Sequence, residues 1–263
     1  MNIIGIIPAR MDSSRFPGKP LAKIGDIPMI GHVYFRSKMS RTLTEVYIAT
    51  CDQEIMDYAR EIGCDSVMTK ASHERASDRS AEALEKIEER TGKKVDIVVM
   101  IQGDEPMVRP EMIDEAVEPL IKDKSILVTN LMGSIDTQEE QQDPNEVKVV
   151  VDEDGFALYF SREPIPSWKK ASSKAQKAVP MTKQVCIIPF RRDFLYKFIR
   201  LKPTTLEEIE SIDMLRALEH GYRVKMVLSK FKTYSVDTPE DLREVEQIID
   251  KDGLVRKYAN AFT

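Results

Sequence analysis

Cysteine, histidine and tryptophan are scarce in this chain, with three Cys, three His and one Trp among 263 residues. Cys51, Cys64 and Cys186 have no metal-ligand spacing and no disulfide density, so they read as small apolar residues in or near strands. None of the histidines stands in a base-like constellation, and His73 reads as a loop residue rather than a general base. Long hydrophobic runs are absent too: Ile97–Ile101, among the longest, is far too short to cross a bilayer. Charge of one sign does not dominate. Lys plus Arg is 39 against 44 Asp plus Glu, a net charge of −5, which argues against nucleic-acid coating, a polybasic membrane-surface role or membrane insertion. Neither GxGxxG nor GxxxxGK[ST] occurs, which removes the Rossmann fingerprint and the Walker loop. The opening residues Met1-Asn2-Ile3-Ile4-Gly5 show no basic leader, and the chain reads as cytoplasmic.

What the chain has in quantity is apolar, β-branched runs alternating with stretches of helical period, the pattern of an α/β fold on a mostly parallel sheet. Ile3–Pro8 and Asp96–Gln102 are continuous apolar runs, as strands buried on both faces require, and Glu45–Thr50 and Ser66–Thr69 add two more. Helical spacing covers Gln53–Ile62, Asp78–Thr91 and Arg109–Asp123, with Gly63 and Gly92 as stop signals for the first two. The stretch 126–190 differs: ILVTNL, VKVVVD and FALYFS are joined by polar turns, which predicts a β-rich subdomain within one domain spanning 1–263. Inside it, Ser167–Pro180 is polar, basic and aperiodic, and predicts a mobile loop. Then follow a strand over Gln184–Phe190, helices over Asp193–Leu201 and Thr205–Gly221, a strand over Val224–Leu228 and a last helix from Thr238. Asp237-Thr238-Pro239-Glu240 supplies that helix with a cap, an early proline and acids at its positive end.

Two segments at strand ends could carry chemistry. The first strand runs into PARMDSSRFPGKP, where Arg10, Arg15 and Lys19 stand with Gly18 and serines beyond a strand's carboxyl end, where α/β sheets bind ligands. Spacing alone fits a triphosphate cradle and a solvated basic loop equally well. Ile101-Gln102-Gly103-Asp104-Glu105-Pro106 puts a carboxylate past the clearest strand, which suits a Mg²⁺ site and suits a plain turn acid as well.

Taken in order, PARMDSSRFPGKPL, IQGDEP, DPNEVKVVVDEDGFALYFSREPIP, LEEIESIDMLRALEHGYRV and VDTPEDL resemble the 3-deoxy-manno-octulosonate (KDO) cytidylyltransferases, over about residues 3–250. The resemblance implies a three-layer α/β fold of nucleotide-diphospho-sugar transferase type with a smaller β-rich insertion. It also implies transfer of CMP from CTP to the anomeric hydroxyl of a 2-keto-3-deoxy sugar acid, with release of pyrophosphate. By that resemblance Arg10, Arg15 and Lys19 hold the triphosphate, while Asp104 and Asp237 bind Mg²⁺. Lys19, Arg10, Asp104 and Asp237 then form the catalytic set. Ser77, Asp78 and Arg79 fall in the cytosine-side loop with Gln102 on the nucleotide, and Gln102, Arg162, Gln184 and Glu210 face the sugar acid. A homodimer is implied, with its contact in the 126–190 region.

The chain departs from the family at three positions. Ala76 replaces a glycine before Asp78, and Gln184 and Ile188 replace a sugar-binding His and Tyr. The last two losses remove an imidazole and a hydroxyl, which keeps another acceptor open: an amino-substituted KDO, a nonulosonic acid or a phosphonate. For Arg162 a structural ion pair, and for Glu210 a solvated helix face, stand beside the ligand role. A silent nucleotide-binding module would have no need of both Asp104 and Asp237.

Overall fold

A computed structural model describes residues 1–13, 15–170, 172 and 181–259. Most of the 167–180 stretch, expected as a mobile loop, lies outside them. The chain divides into two compact units, one formed by Met1–Asp114 with the segment from Thr233, the other by Glu115–Lys232. The second unit extends beyond the 126–190 stretch at both ends. Among the described residues no helix is long and apolar enough to cross a membrane.

In the first unit, β1 (Ile3–Ala9), β4 (Glu45–Thr50), β5 (Asp65–Met68) and β6 (Ile97–Ile101) form parallel pairs in the order β6-β1-β4-β5. Every residue of β1 and β6 is buried, as their unbroken apolar sequence requires. The helices between these strands, α1 (Met29–Lys38), α2 (Gln53–Glu61) and α3 (Ala76–Thr91), pack against the sheet. Gly92 caps α3 in the left-handed region at φ 66°, the stop its sequence announces. A short antiparallel pair, β2 (Lys23–Ile24) and β3 (Ile27–Pro28), precedes α1. Neither it nor α1 was expected. α4 (Pro110–Lys122) then carries the chain into the second unit.

The second unit holds a mixed sheet. β7 (Thr129–Ser134), β8 (Lys148–Val151), β9 (Ala157–Ser161) and β10 (Thr182–Val185) pair antiparallel in the order β7-β10-β8-β9. A short α5 (Gln138–Gln142) interrupts the β-rich stretch between β7 and β8. The strand expected over Gln184–Phe190 is two, β10 and β11 (Ile187–Arg191), broken at Cys186. After α6 (Arg192–Phe198), the helix expected over Thr205–Gly221 is also two, α7 (Thr205–Glu210) and α8 (Asp213–Glu219). Ser211 turns the corner between them at φ 54°. A buried ion pair holds that corner, Arg216 donating to both Glu207 oxygens at 2.7 and 2.6 Å. β12 (Lys225–Leu228) then joins β7 in parallel.

From Thr233 the chain is again in the first unit. α9 (Pro239–Ile249) opens with the expected cap, which Asp241 completes as a box: Thr238 Oγ1 accepts from Asp241 N while the Asp241 carboxylate accepts from Thr238 N. α10 (Val255–Tyr258) follows. Val236, Val245 and Ile249 pack with Ile24 and Met29 in one buried cluster, with Phe16, Met107 and Tyr234 against it. The start and the end of the chain therefore share a core.

Candidate active site

The loop after β1 is shaped by its backbone. Gly18 N–H donates to Met11 O at 3.0 Å, and Met11 N–H to Asp52 Oδ2 at 2.8 Å, so both ends of the loop are tied. Gly18 sits at φ 74°, where a side chain would be strained, and caps a single 3₁₀ turn, Lys19–Leu21. Fixing the turn fixes the origin of the Lys19 side chain.

That side chain reaches three acceptors from distant stretches of sequence. Lys19 Nζ donates to Asp104 Oδ2 at 3.0 Å, to Val236 O at 2.9 Å and to Asp237 Oδ1 at 3.2 Å. Asp104 lies in the turn after β6, and Asp237 immediately before the cap of α9. Val236 N–H donates to Asp104 O at 2.9 Å, so one backbone bond fastens the segments that carry the two carboxylates. Arg15 Nη2 adds a charged contact to Asp237 Oδ1 at 3.0 Å. Burial works against the Lys19 ammonium, but the adjacent Asp104 and Asp237 carboxylates outweigh it and hold its pKa above the ordinary lysine value.

Both carboxylates keep about a quarter of their side-chain surface exposed (24%), so they remain open to a ligand. A pair of converging carboxylates bridged by one cation is a donor set that fits Mg²⁺, which takes one or two carboxylates and completes its shell with water and phosphate oxygens. Among the described residues no cluster of three or more acidic, His or Cys side chains offers a closed metal cage. Arg10 is exposed at the end of β1 and Gln102 is half-buried after β6.

The cytosine-side residues open α3. The helix begins at Ala76, so the position where the family carries glycine needs no special backbone here. Ser77 is buried, and Asp78 stands in the first turn. Arg79 is buried and donates to Thr69 Oγ1 at 2.6 Å, with longer bonds to the carbonyls of Lys70 and His73 at 3.4 Å. Its guanidinium thus ties the loop before α3. Glu82, one turn on, grips the same loop through Lys70 N–H and His73 Nε2. Burial pushes the Glu82 carboxyl up, yet those donors and Lys86 win and hold it at about 2. Glu82 was not singled out by sequence, although its place three residues after Arg79 puts both on one helix face.

In the second unit, Arg162 and Glu210 come together. Glu210 Oε1 accepts from Ser161 Oγ at 3.0 Å and Tyr159 Oη at 3.3 Å, and Oε2 accepts from the Arg162 backbone at 2.9 Å. Arg162 spreads its donors over the carbonyls of Glu210, Pro144 and Ser211 at 2.6, 2.8 and 3.3 Å. Its observed partners are therefore backbone carbonyls, not the side-chain ion pair held open for it. Gln184 Nε2 donates to Asn130 Oδ1 at 2.6 Å, while Asn130 Nδ2 is held by the carbonyls of Leu131 and Val185. Ile188 is buried. The polar position of Gln184 is thus met by a neighbour that sequence reading missed.

The parallel sheet, with a lysine and two carboxylates gathered at strand and helix ends, has the layout of a nucleotide-binding transferase. A family model described as cytidylyltransferase matches residues 4–233. The 3-deoxy-manno-octulosonate cytidylyltransferases of Geobacter metallireducens and Geotalea daltonii are 41% and 42% identical, over 95% of this chain and 99% and 100% of theirs. A solved structure described as CMP:2-keto-3-deoxy-manno-octonic acid synthetase complexed with CTP is 34% identical, covering 95% of this chain and 99% of that one, at a TM-score of 0.86. The chain belongs to the 3-deoxy-manno-octulosonate cytidylyltransferase family.

Proposed function

We propose that this chain transfers the cytidylyl group of CTP to the anomeric hydroxyl of 3-deoxy-manno-octulosonate. The acceptor oxygen forms a bond to the α-phosphorus, the bond from that phosphorus to the bridging oxygen breaks, and pyrophosphate leaves. The hydroxyl proton passes to solvent. The observation that carries the reading is the meeting of Lys19, Asp104 and Asp237 around one ammonium, at the positions the family's motifs supply. Relatives that carry the KDO name over nearly their full length support this acceptor over an amino-KDO, a nonulosonic acid or a phosphonate.

Phosphoryl-type transfer leaves a protein little covalent chemistry, so positioning and electrostatics dominate. Lys19, Arg15 and Arg10 neutralise the triphosphate and the charge that moves onto the leaving pyrophosphate. Asp104 and Asp237 would hold magnesium, which when bound supplies charge neutralisation and Lewis acidity at the phosphates. Ser77, Asp78 and Gln102 serve the nucleotide, and Arg79 does so by fixing the loop before α3. On the acceptor side, Gln102 and Gln184 offer carboxamides, and Arg162 with Glu210 holds the β9–α7 corner. A homodimer acting in the cytoplasm completes the reading, and light scattering tests the dimer.

Pyrophosphate release from CTP and magnesium, with KDO as acceptor and UTP and ATP as controls, tests the proposal. Release that depends on both CTP and KDO is expected. Release with no need of KDO, or none with KDO, overturns it.

A further inference from the structure

We propose that Tyr258, near the end of the chain, is a positioning residue for Lys19, acting through His32, Ile24 and Val236; this rests on the function proposed above.

The link is built from buried groups. His32 is 1% exposed and lies between two partners, Nε2 on Ile24 O at 2.9 Å and Nδ1 on Tyr258 Oη at 2.8 Å. A carbonyl can only accept, so Nε2 carries the proton and Nδ1 accepts from the Tyr258 hydroxyl. The phenolic oxygen in turn accepts from Arg36 Nε at 3.0 Å, and Arg36, fully buried, pairs with Asp252 at 2.7 Å. Every donor in this series has one possible direction, Arg36 to Tyr258 to His32 to Ile24. The rings reinforce it, Tyr258 meeting His32 edge-on at 5.7 Å and stacking on Phe35 at 5.5 Å.

The far end of the series is the site. Ile24 follows the 3₁₀ turn that carries Lys19 by three residues and packs in the same buried cluster as Val236. The Val236 carbonyl is the third acceptor of the Lys19 ammonium, and its N–H holds the Asp104 backbone. A shift of Ile24 therefore reaches Val236 on one side and the Lys19 turn on the other. Neither Tyr258 nor His32 has a bond to Lys19, Asp104 or Asp237, so what they contribute is placement. Misplacing a reacting group by about 1 Å can cost on the order of a hundredfold in rate.

The test is Tyr258→Phe, which keeps the ring and removes the hydroxyl. Two readouts are taken on folded protein: kcat and KM for CTP from pyrophosphate release, and hydrogen exchange of the Val236 amide without substrate. A kcat lower by about tenfold with KM for CTP changed less than twofold, together with faster Val236 exchange, is expected. If Tyr258→Phe does not fold, His32→Gln keeps a donor for Ile24 but breaks the link to Tyr258, and is read the same way. Val236 exchange equal to that of the unaltered protein overturns the inference, as does a kcat loss that only follows the folded fraction. If the unaltered protein releases no pyrophosphate, the proposed function fails alone, and amide exchange still decides the positioning.

Discussion

His32 makes this protein acid-sensitive in a pH window of its own. Its imidazole is pushed down to about 4 in the folded chain, first by burial and then by the Arg36 guanidinium, against the pull of the Ile24 carbonyl. In the unfolded chain it returns to the ordinary 6.5. Between those values the unfolded chain binds the proton and the folded chain does not, so stability is complete above about 6.5 and is lost as pH falls towards 4. A difference of about 2.5 at 1.36 kcal/mol each is worth about 3 kcal/mol in full. By about pH 4.5 roughly 2.5 kcal/mol of it is gone. The depressed carboxyls of Glu82, Asp114 and Asp252 titrate below the ordinary carboxylate range and add their own acid loss. The measurement is therefore a difference: denaturant unfolding of the unaltered chain and of His32→Gln, at a series of pH values from neutral downwards. His32→Gln is the less stable at neutral pH, and the gap between the two narrows by about 2.5 kcal/mol by about pH 4.5. A gap that stays constant over that range refutes the reasoning, because His32 would then titrate alike in both states.

Asp104→Asn and Asp237→Asn each lower pyrophosphate release by at least about a hundredfold, while circular dichroism and the melting temperature stay close to the unaltered protein, since each side chain is only partly buried. Chelating divalent cations has the same effect on the unaltered enzyme and adds nothing to either variant. Gly31→Ala places a methyl group over the Tyr58 hydroxyl and 2.9 Å from Ile27 Cγ2 inside α1, costing about 1–3 kcal/mol by urea unfolding, part of it regained in the double variant with Tyr58→Phe. Glu207→Gln leaves the buried Arg216 guanidinium without its carboxylate and costs about 3–5 kcal/mol, with hydrogen exchange rising first around α7 and α8.

Local pattern was enough wherever burial is simple. Ile97–Ile101 and Ile3–Ala9 are buried along their whole length, so an unbroken apolar run was a sufficient signal. α1 escaped notice for the opposite reason. Eight of its ten residues are buried, among them His32, Arg36 and Ser37, so it has no polar face to alternate with an apolar one. The break at Ser211 depends in part on a partner far along the chain: the Ser211 carbonyl accepts from Arg162, while Glu207 and Arg216 close the α7–α8 corner. No local window of sequence holds both Arg162 and Ser211. At the site, Lys19 and Asp104 stand out as charged residues just past strand ends, but only the family's motifs join them to Asp237, since nothing local connects a turn after β6 with the start of α9. The Val236 carbonyl could not have been found at all, because a backbone acceptor leaves no mark on residue type. Arg79 and Arg162 show the reverse. The family resemblance picks them out as ligand-side residues, and the fold places their donors on backbone and hydroxyl oxygens.

The charges at the site argue for the divalent cation more strongly than the motifs do. Lys19 and Arg15 bring two positive charges to the two negative charges of Asp104 and Asp237, so the group sums to zero as it stands. A nucleoside triphosphate adds roughly four negative charges, and Arg10 returns only one. A site meant to hold that polyanion by its own side chains would gain by having no carboxylates there, because each repels the phosphates it faces. Their presence beside the cations is a net cost to binding the nucleotide alone. A divalent cation held by Asp104 and Asp237 would offset that cost by supplying positive charge at the phosphates, and would leave Lys19, Arg15 and Arg10 to the oxygens that gain charge as pyrophosphate departs. Until then, one ammonium between two carboxylates keeps like charges from forcing the segments after β6 and before α9 apart.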